Sequence, residues 1–124
     1  MDGKKKLLLV DDDAAVLEYL GIKLGREFEL TGCLSAGEAL AALRERAPDL
    51  ILCDIDMPGM DGGDLSATLF AQEETRAIPV VFLTALLTPA DLSARGNQLA
   101  GRAAVSKHAP IDEILSRIRS ALAS

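Results

Sequence analysis

Several kinds of site are short of material in this sequence. Only two cysteines occur, Cys33 and Cys53, twenty positions apart. No CxxC pair or zinc-finger spacing exists, so neither zinc nor a redox pair is suggested, and both thiols read as small buried hydrophobes. Basic residues are in deficit, 13 Lys and Arg against 19 Asp and Glu, for a net charge of −6. That balance argues against direct contact with nucleic acid, whose phosphates need a basic face. Long apolar runs are missing, which excludes a membrane span. Lys4, Lys5 and Lys6 precede only four apolar residues before three aspartates, which is no secretory leader. The expected compartment is the cytoplasm. Phosphate-cradling glycine loops are absent too: neither GxxxxGK[ST] nor GxGxxG occurs.

What is present fits one domain over residues 1–124, with no output domain alongside it. The chain is 49% hydrophobic and 26% charged, an ordinary globular composition. A chain of this length buries roughly two-thirds of its unfolded surface. Continuous apolar runs at residues 7–10, 50–53 and 80–83 suit strands covered on both faces, the mark of a parallel sheet. Residues 28–34 form a weaker run that suits an edge, and 103–106 a short fifth one. Amphipathic stretches fall between them. Leu17, Leu20 and Leu24 make a stripe behind the N-cap Asp13, and Ser35 with Glu38 forms a capping box. Residues 64–71 are a shorter candidate. Thr88 and Pro89 read as N-cap and N1 of a fourth helix, which Gly96 and Asn97 weaken at its far end. Ile111, Ile114, Leu115, Ile118 and Leu122 mark a last helix, with Arg117 and Arg119 suiting its C-terminal dipole. Five β-α units and right-handed crossovers predict an α/β fold with helices on both faces of a parallel sheet.

Ligands in such a sheet bind beyond the carboxyl ends of the strands. There stand Asp11, Asp12 and Asp13 after the first run and Asp54-Ile55-Asp56 after the third. Thr84-Ala85 follows the fourth run and Lys107 the fifth. Carboxylates drawn together raise one another's pKa, and a divalent cation relieves the repulsion. Oxygen ligands point to Mg²⁺, with Mn²⁺ as the alternative. A hydroxyl and an ammonium beside a metal-bound carboxylate suggest phosphoryl chemistry with Asp54 as nucleophile.

These residues lie in LLLVDDD at 7–13, PDLILCDIDMPGMDG at 48–62, PVVFLTA at 79–85 and VSK at 105–107. In that order they resemble the response-regulator receiver domains of two-component signalling, the family of the chemotaxis regulator CheY. The resemblance implies a flavodoxin-like (βα)5 fold with five parallel strands in the order 2-1-3-4-5. It implies Asp54 as phosphoacceptor, Asp12 as a direct Mg²⁺ ligand, Asp11 acting through water, and the Asp56 backbone carbonyl as a third protein ligand. Thr84 is then the switch hydroxyl, Ala85 the small residue leaving room for the phosphoryl group, and Lys107 its ion partner. Asp56 and Leu86 tune the lifetime of the modification. The implied partners are a sensor histidine kinase or a phosphotransfer protein and an unidentified downstream protein, with the chain a monomer or weak dimer. The receiver catalyses only its own phosphorylation and dephosphorylation.

Two positions depart from the pattern. The family's lysine is usually followed by a proline, commonly in cis, whereas here His108 follows Lys107. A cis bond costs about 3 to 4 kcal/mol before a non-proline residue, so a trans bond with a redrawn loop is expected, and His108 reads as an exposed loop residue. The aromatic residue expected three positions before the lysine is Ala104, which has no rotamer to switch. Two alternatives stay open: a receiver-like binding module that is never phosphorylated, and a haloacid-dehalogenase-like phosphatase, whose DxD motif Asp54-Ile55-Asp56 resembles. In the phosphatases, however, DxD opens the chain and the acidic pair comes late.

Overall fold

The computed structural model describes residues 3–57 and 62–123. In chain order the elements are β1 Lys5–Val10, α1 Ala14–Leu24, β2 Phe28–Cys33, α2 Ala36–Glu45, β3 Leu50–Asp54 and α3 Gly62–Ala71. They continue with β4 Val80–Thr84, α4 Pro89–Ala94, β5 Gln98–Leu99, β6 Arg102–Ser106 and α5 Ile111–Ala123. Residues 58–61 of the second quoted motif lie outside the described part.

Strands β2-β1-β3-β4-β6 pair in parallel in that order, which is the expected 2-1-3-4-5 arrangement. The expectation of five strands needs one correction. A short β5 adds antiparallel to β6 and makes the sheet six-stranded. It exists because α4 stops after six residues. Gly96 and Asn97 follow with φ of 71° and 57°, and the Asn97 N–H closes the helix on the Leu92 carbonyl at 2.8 Å. The chain then turns back through Ala100 and Gly101, whose φ values of 51° and 75° are those a two-residue type I′ hairpin requires.

Strand residues alternate between two cores, as the pleat dictates. Leu8, Val10, Ile51, Cys53, Val80, Phe82 and Ala104 face α2, α3 and α4 through Ala39, Leu65, Leu69 and Leu92. Leu7, Leu9, Leu50, Leu52, Val81, Leu83 and Val105 face α1 and α5 through Leu20, Leu24, Ile114 and Ile118. Every residue of β3 and β4 is buried, which is why those segments read as unbroken apolar runs. Among the described residues β2 pairs only with β1, and it exposes Glu29, the edge position its weaker pattern predicts. Cys33 and Cys53 are buried and are not joined in a disulfide.

The caps explain the helix starts. Asp13 accepts the Ala15 N–H, and Thr88 and Asp91 close a reciprocal capping box before Pro89. Ser35 accepts the Glu38 N–H at 3.1 Å, while the Glu38 carboxylate reaches one residue further back, to the Leu34 N–H. α5 runs to Ala123, beyond both arginines. Arg119 is drawn off the helix axis to Glu27, ahead of β2, so it does not serve the helix end as expected.

Candidate functional site

One device positions both acidic strand ends. Beyond β1 the Asp11 N–H continues the ladder to the Cys33 carbonyl at 3.0 Å, and its Oδ1 accepts the Asp13 N–H at 2.9 Å. At the end of β3 the Asp54 Oδ1 accepts the Asp56 N–H at 3.0 Å, an i to i+2 turn of the same kind. Each turn leaves one carboxylate oxygen aimed inward. Those oxygens meet the Lys107 ammonium, with Nζ 2.6 Å from Asp11 Oδ2 and 3.3 Å from Asp54 Oδ2. Asp11 and Asp54 are buried, whereas Asp12 is exposed at the rim.

Asp11, Asp12 and Asp54 each offer an oxygen within 4.8 Å of the others. Three carboxylates against one ammonium leave two negative charges in excess, and the donors are all hard oxygens. The cluster can hold a metal ion, and a divalent cation with oxygen preference fits it.

The electrostatics follow from burial. Desolvation pushes the Asp54 carboxyl above the ordinary carboxylate value; the Asp56 N–H and the Lys107 charge offset only part of this, and Asp11 adds to it. Burial works against the Lys107 charge, but the hydrogen bond and charge of Asp11, with Asp54 adding, raise its pKa above the ordinary lysine value.

The ends of β4 and β6 complete the site. Thr84 is buried, its Oγ1 accepting the Leu86 N–H at 3.1 Å. Its carbonyl receives the Lys107 N–H at 2.8 Å, which ties the ends of β4 and β6 together. No cis peptide bond occurs among the described residues, so Lys107-His108 is trans, yet Lys107 still reaches both carboxylates. His108 is exposed, as expected, but not idle. Its Nε2 lies 3.0 Å from the Ala85 carbonyl, and its backbone N–H bonds the Ser106 Oγ at 3.0 Å. Ser106, fully buried, is a site residue that the sequence pattern did not flag. Ala104 is fully buried opposite Phe82 in the β4–β6 ladder. Asp56, Ala85 and Leu86 are exposed around the mouth.

The sequence and the fold match known proteins. A sequence model of the response regulator receiver domain fits residues 7–119. This chain is a receiver domain of the response-regulator family. It is 35% identical over 120 residues to the DNA-binding response regulator MtrA of Mycolicibacterium paratuberculosis, covering 96% of this chain and 52% of that one. It is 36% identical over 121 residues to the response regulator PleD of Caulobacter vibrioides, covering 93% and 25%. A solved receiver domain of a signal transduction histidine kinase from Syntrophus aciditrophicus superposes with a TM-score of 0.80 at 29% identity, covering 96% and 90%. The receiver thus spans about half the length of MtrA, whose DNA binding is a property of that protein. The family match does not favour the phosphatase reading. No helix among the described residues is long and apolar enough to cross a membrane.

Proposed function

We propose that Asp54 of this receiver accepts a phosphoryl group from a phosphohistidine on a sensor kinase or phosphotransfer protein. The inward Asp54 Oδ2 forms the new P–O bond as the P–N bond breaks, and the donor imidazole keeps the electron pair. Lys107, already 3.3 Å from that oxygen, stays beside the phosphoryl group and balances its charge. The Thr84 hydroxyl donates to a phosphoryl oxygen once it leaves the Leu86 turn, and the small Ala85 side chain leaves room. Asp12, Asp54 and the Asp56 carbonyl would hold Mg²⁺, with Asp11 acting through water. When bound, the cation supplies charge neutralisation for the transferring group. Asp56 and Leu86, exposed at the mouth, flank the path of the water that later hydrolyses the acyl phosphate.

The modification adds charge and acceptor oxygens at the cleft and shifts the population between two conformations, which a downstream protein reads. The receiver contributes catalysis to its own phosphorylation and hydrolysis and turns over no external metabolite. The observation that carries this reading is a buried carboxylate, paired with an ammonium and crowded by two further carboxylates, at the end of a central strand. Intact mass after incubation with acetyl phosphate and Mg²⁺ tests it. One phosphoryl adduct is expected on the parent and none on Asp54→Asn. An adduct on both moves the chemistry elsewhere, and none on either leaves a binding module that is never phosphorylated.

A further inference from the structure

Ala104 has no side-chain torsion with which to report on Thr84, and it is sealed between strands. A different element touches the Thr84 segment. The Ala85 carbonyl can only accept, so the proton of their 3.0 Å hydrogen bond sits on His108 Nε2. Together with the Lys107 N–H on the Thr84 carbonyl, this gives two successive carbonyls at the end of β4 a partner from the β6–α5 turn. The far end of the strap is fixed by the His108 N–H on the buried Ser106 Oγ. On the strapped segment the Thr84 hydroxyl is engaged by the Leu86 N–H.

We propose that His108 is a positioning residue that holds residues 84–86 in the resting arrangement, so that Thr84 turns toward a phosphoryl group only as the Ala85 carbonyl is released. This rests on the phosphoryl reading above and gives the β6–α5 turn the coupling role that Ala104 cannot perform. A conformation favoured by one contact binds a ligand of the other conformation more weakly by that contact's weight. Removing one ordinary hydrogen bond therefore tightens binding of a phosphoryl mimic by about three- to ten-fold. The trans Lys107-His108 bond leaves Lys107 in place, so binding of Mg²⁺ alone is unaffected.

The test compares the parent with His108→Ala and His108→Gln in the full chain, reading amide shifts during beryllofluoride titration in Mg²⁺. His108→Ala should bind beryllofluoride about three- to ten-fold more tightly, with an unchanged Kd for Mg²⁺. His108→Gln, whose amide nitrogen can replace the Nε2 donor, should behave as the parent. Equal or weaker binding by His108→Ala overturns the proposal, as does a glutamine variant that matches the alanine one. A parent that binds no beryllofluoride removes the phosphoryl reading and the coupling with it. Hydrogen exchange of the Leu86 amide in the resting protein reads the strap alone. Exchange faster in His108→Ala and restored in His108→Gln supports it; equal rates in all three overturn it.

Discussion

Two charged contacts stand at opposite edges of the sheet and differ in almost everything except the sign of their charges. At the amino edge Arg119 meets Glu27 with two bonds, Nε to Oε2 at 2.8 Å and Nη2 to Oε1 at 2.5 Å. Their side chains are 56% and 40% exposed. At the carboxyl edge Lys107 meets Asp11 and Asp54, and the three side chains are 17%, 1% and 6% exposed. The amino-edge pair has the better fork geometry. The carboxyl-edge cluster has the consequences, because water readily replaces either partner of an exposed pair, whereas losing a partner here strands a buried charge. It also carries excess negative charge, which a structural ion pair has no use for and a cation-binding phosphoryl site requires.

The sharpest way to break this contrast is Lys107→Ala. It leaves two inward carboxylate oxygens facing each other without a cation, and removing one partner of a buried ion cluster costs about 3 to 5 kcal/mol. Urea unfolding in metal-free buffer should show that loss. The raised lysine pKa gives the matching pH signature. Its stabilisation is fully present below the ordinary lysine value and lost as pH rises through the raised one, so the parent should weaken in alkali. Lys107→Ala should lack that alkaline transition.

Next in size is the metal itself. Mg²⁺ at ten times its Kd should stabilise the unmodified parent by about 1.4 kcal/mol by mass action. That is roughly 4 to 8 °C in Tm for a domain of this length. Asp12→Ala, which removes the exposed carboxylate of the candidate cation site and no core contact, should erase most of that shift while leaving the metal-free Tm near the parent's. A scan showing no Mg²⁺-dependent shift at millimolar concentration would count against the site.

Asp54→Asn should act in the opposite direction to Lys107→Ala. Burial raises the Asp54 pKa, so its ionisation costs stability as pH climbs from the ordinary carboxylate value through the raised one. The amide removes that charge and still leaves Asp11 for Lys107. In metal-free buffer at neutral pH the variant should melt higher, by roughly 3 to 6 °C for about 1 kcal/mol. A lower Tm would mean that Asp54 serves the fold more than the chemistry.

Much of this contrast was legible in the sequence because of how the elements bury. Strands β3 and β4 have both faces covered, so they are written in continuous apolar residues, and a carboxylate or hydroxyl that ends such a run stands out. The N-caps Asp13, Ser35 and Thr88 were legible for a local reason, since each accepts a bond from a residue two or three positions on. What escaped was non-local or disguised. The β5–β6 hairpin turns on Ala100 at φ 51°, where Gly or Asn would have announced it. Arg119 looked like a partner for its own helix end, and nothing within α5 reveals that Glu27, 92 residues earlier, takes it. His108 looked like a solvent-facing loop residue. It is exposed, yet it spans 23 positions to a backbone carbonyl, a contact no residue pattern encodes. The missing aromatic at Ala104 could be read, but what stands in its place could not.

The smallest expected effect closes the comparison from the amino edge. Arg119 lowers the Glu27 pKa, chiefly through its hydrogen bond, so the pair contributes above the ordinary carboxylate value and loses that contribution as pH falls through the lowered one. Exposure and salt screening shrink the contribution, whatever the direction of the shift. Glu27→Gln should therefore change Tm by no more than about 2 °C at low salt, and the difference should vanish near 1 M salt. Lys107→Ala should keep most of its loss in the same monovalent salt, because Asp11 and Asp54 are buried and only weakly screened. Equal salt sensitivity in the two variants would show that the carboxyl-edge cluster is solvated like the other, and that burial is not what separates the two ends of this sheet.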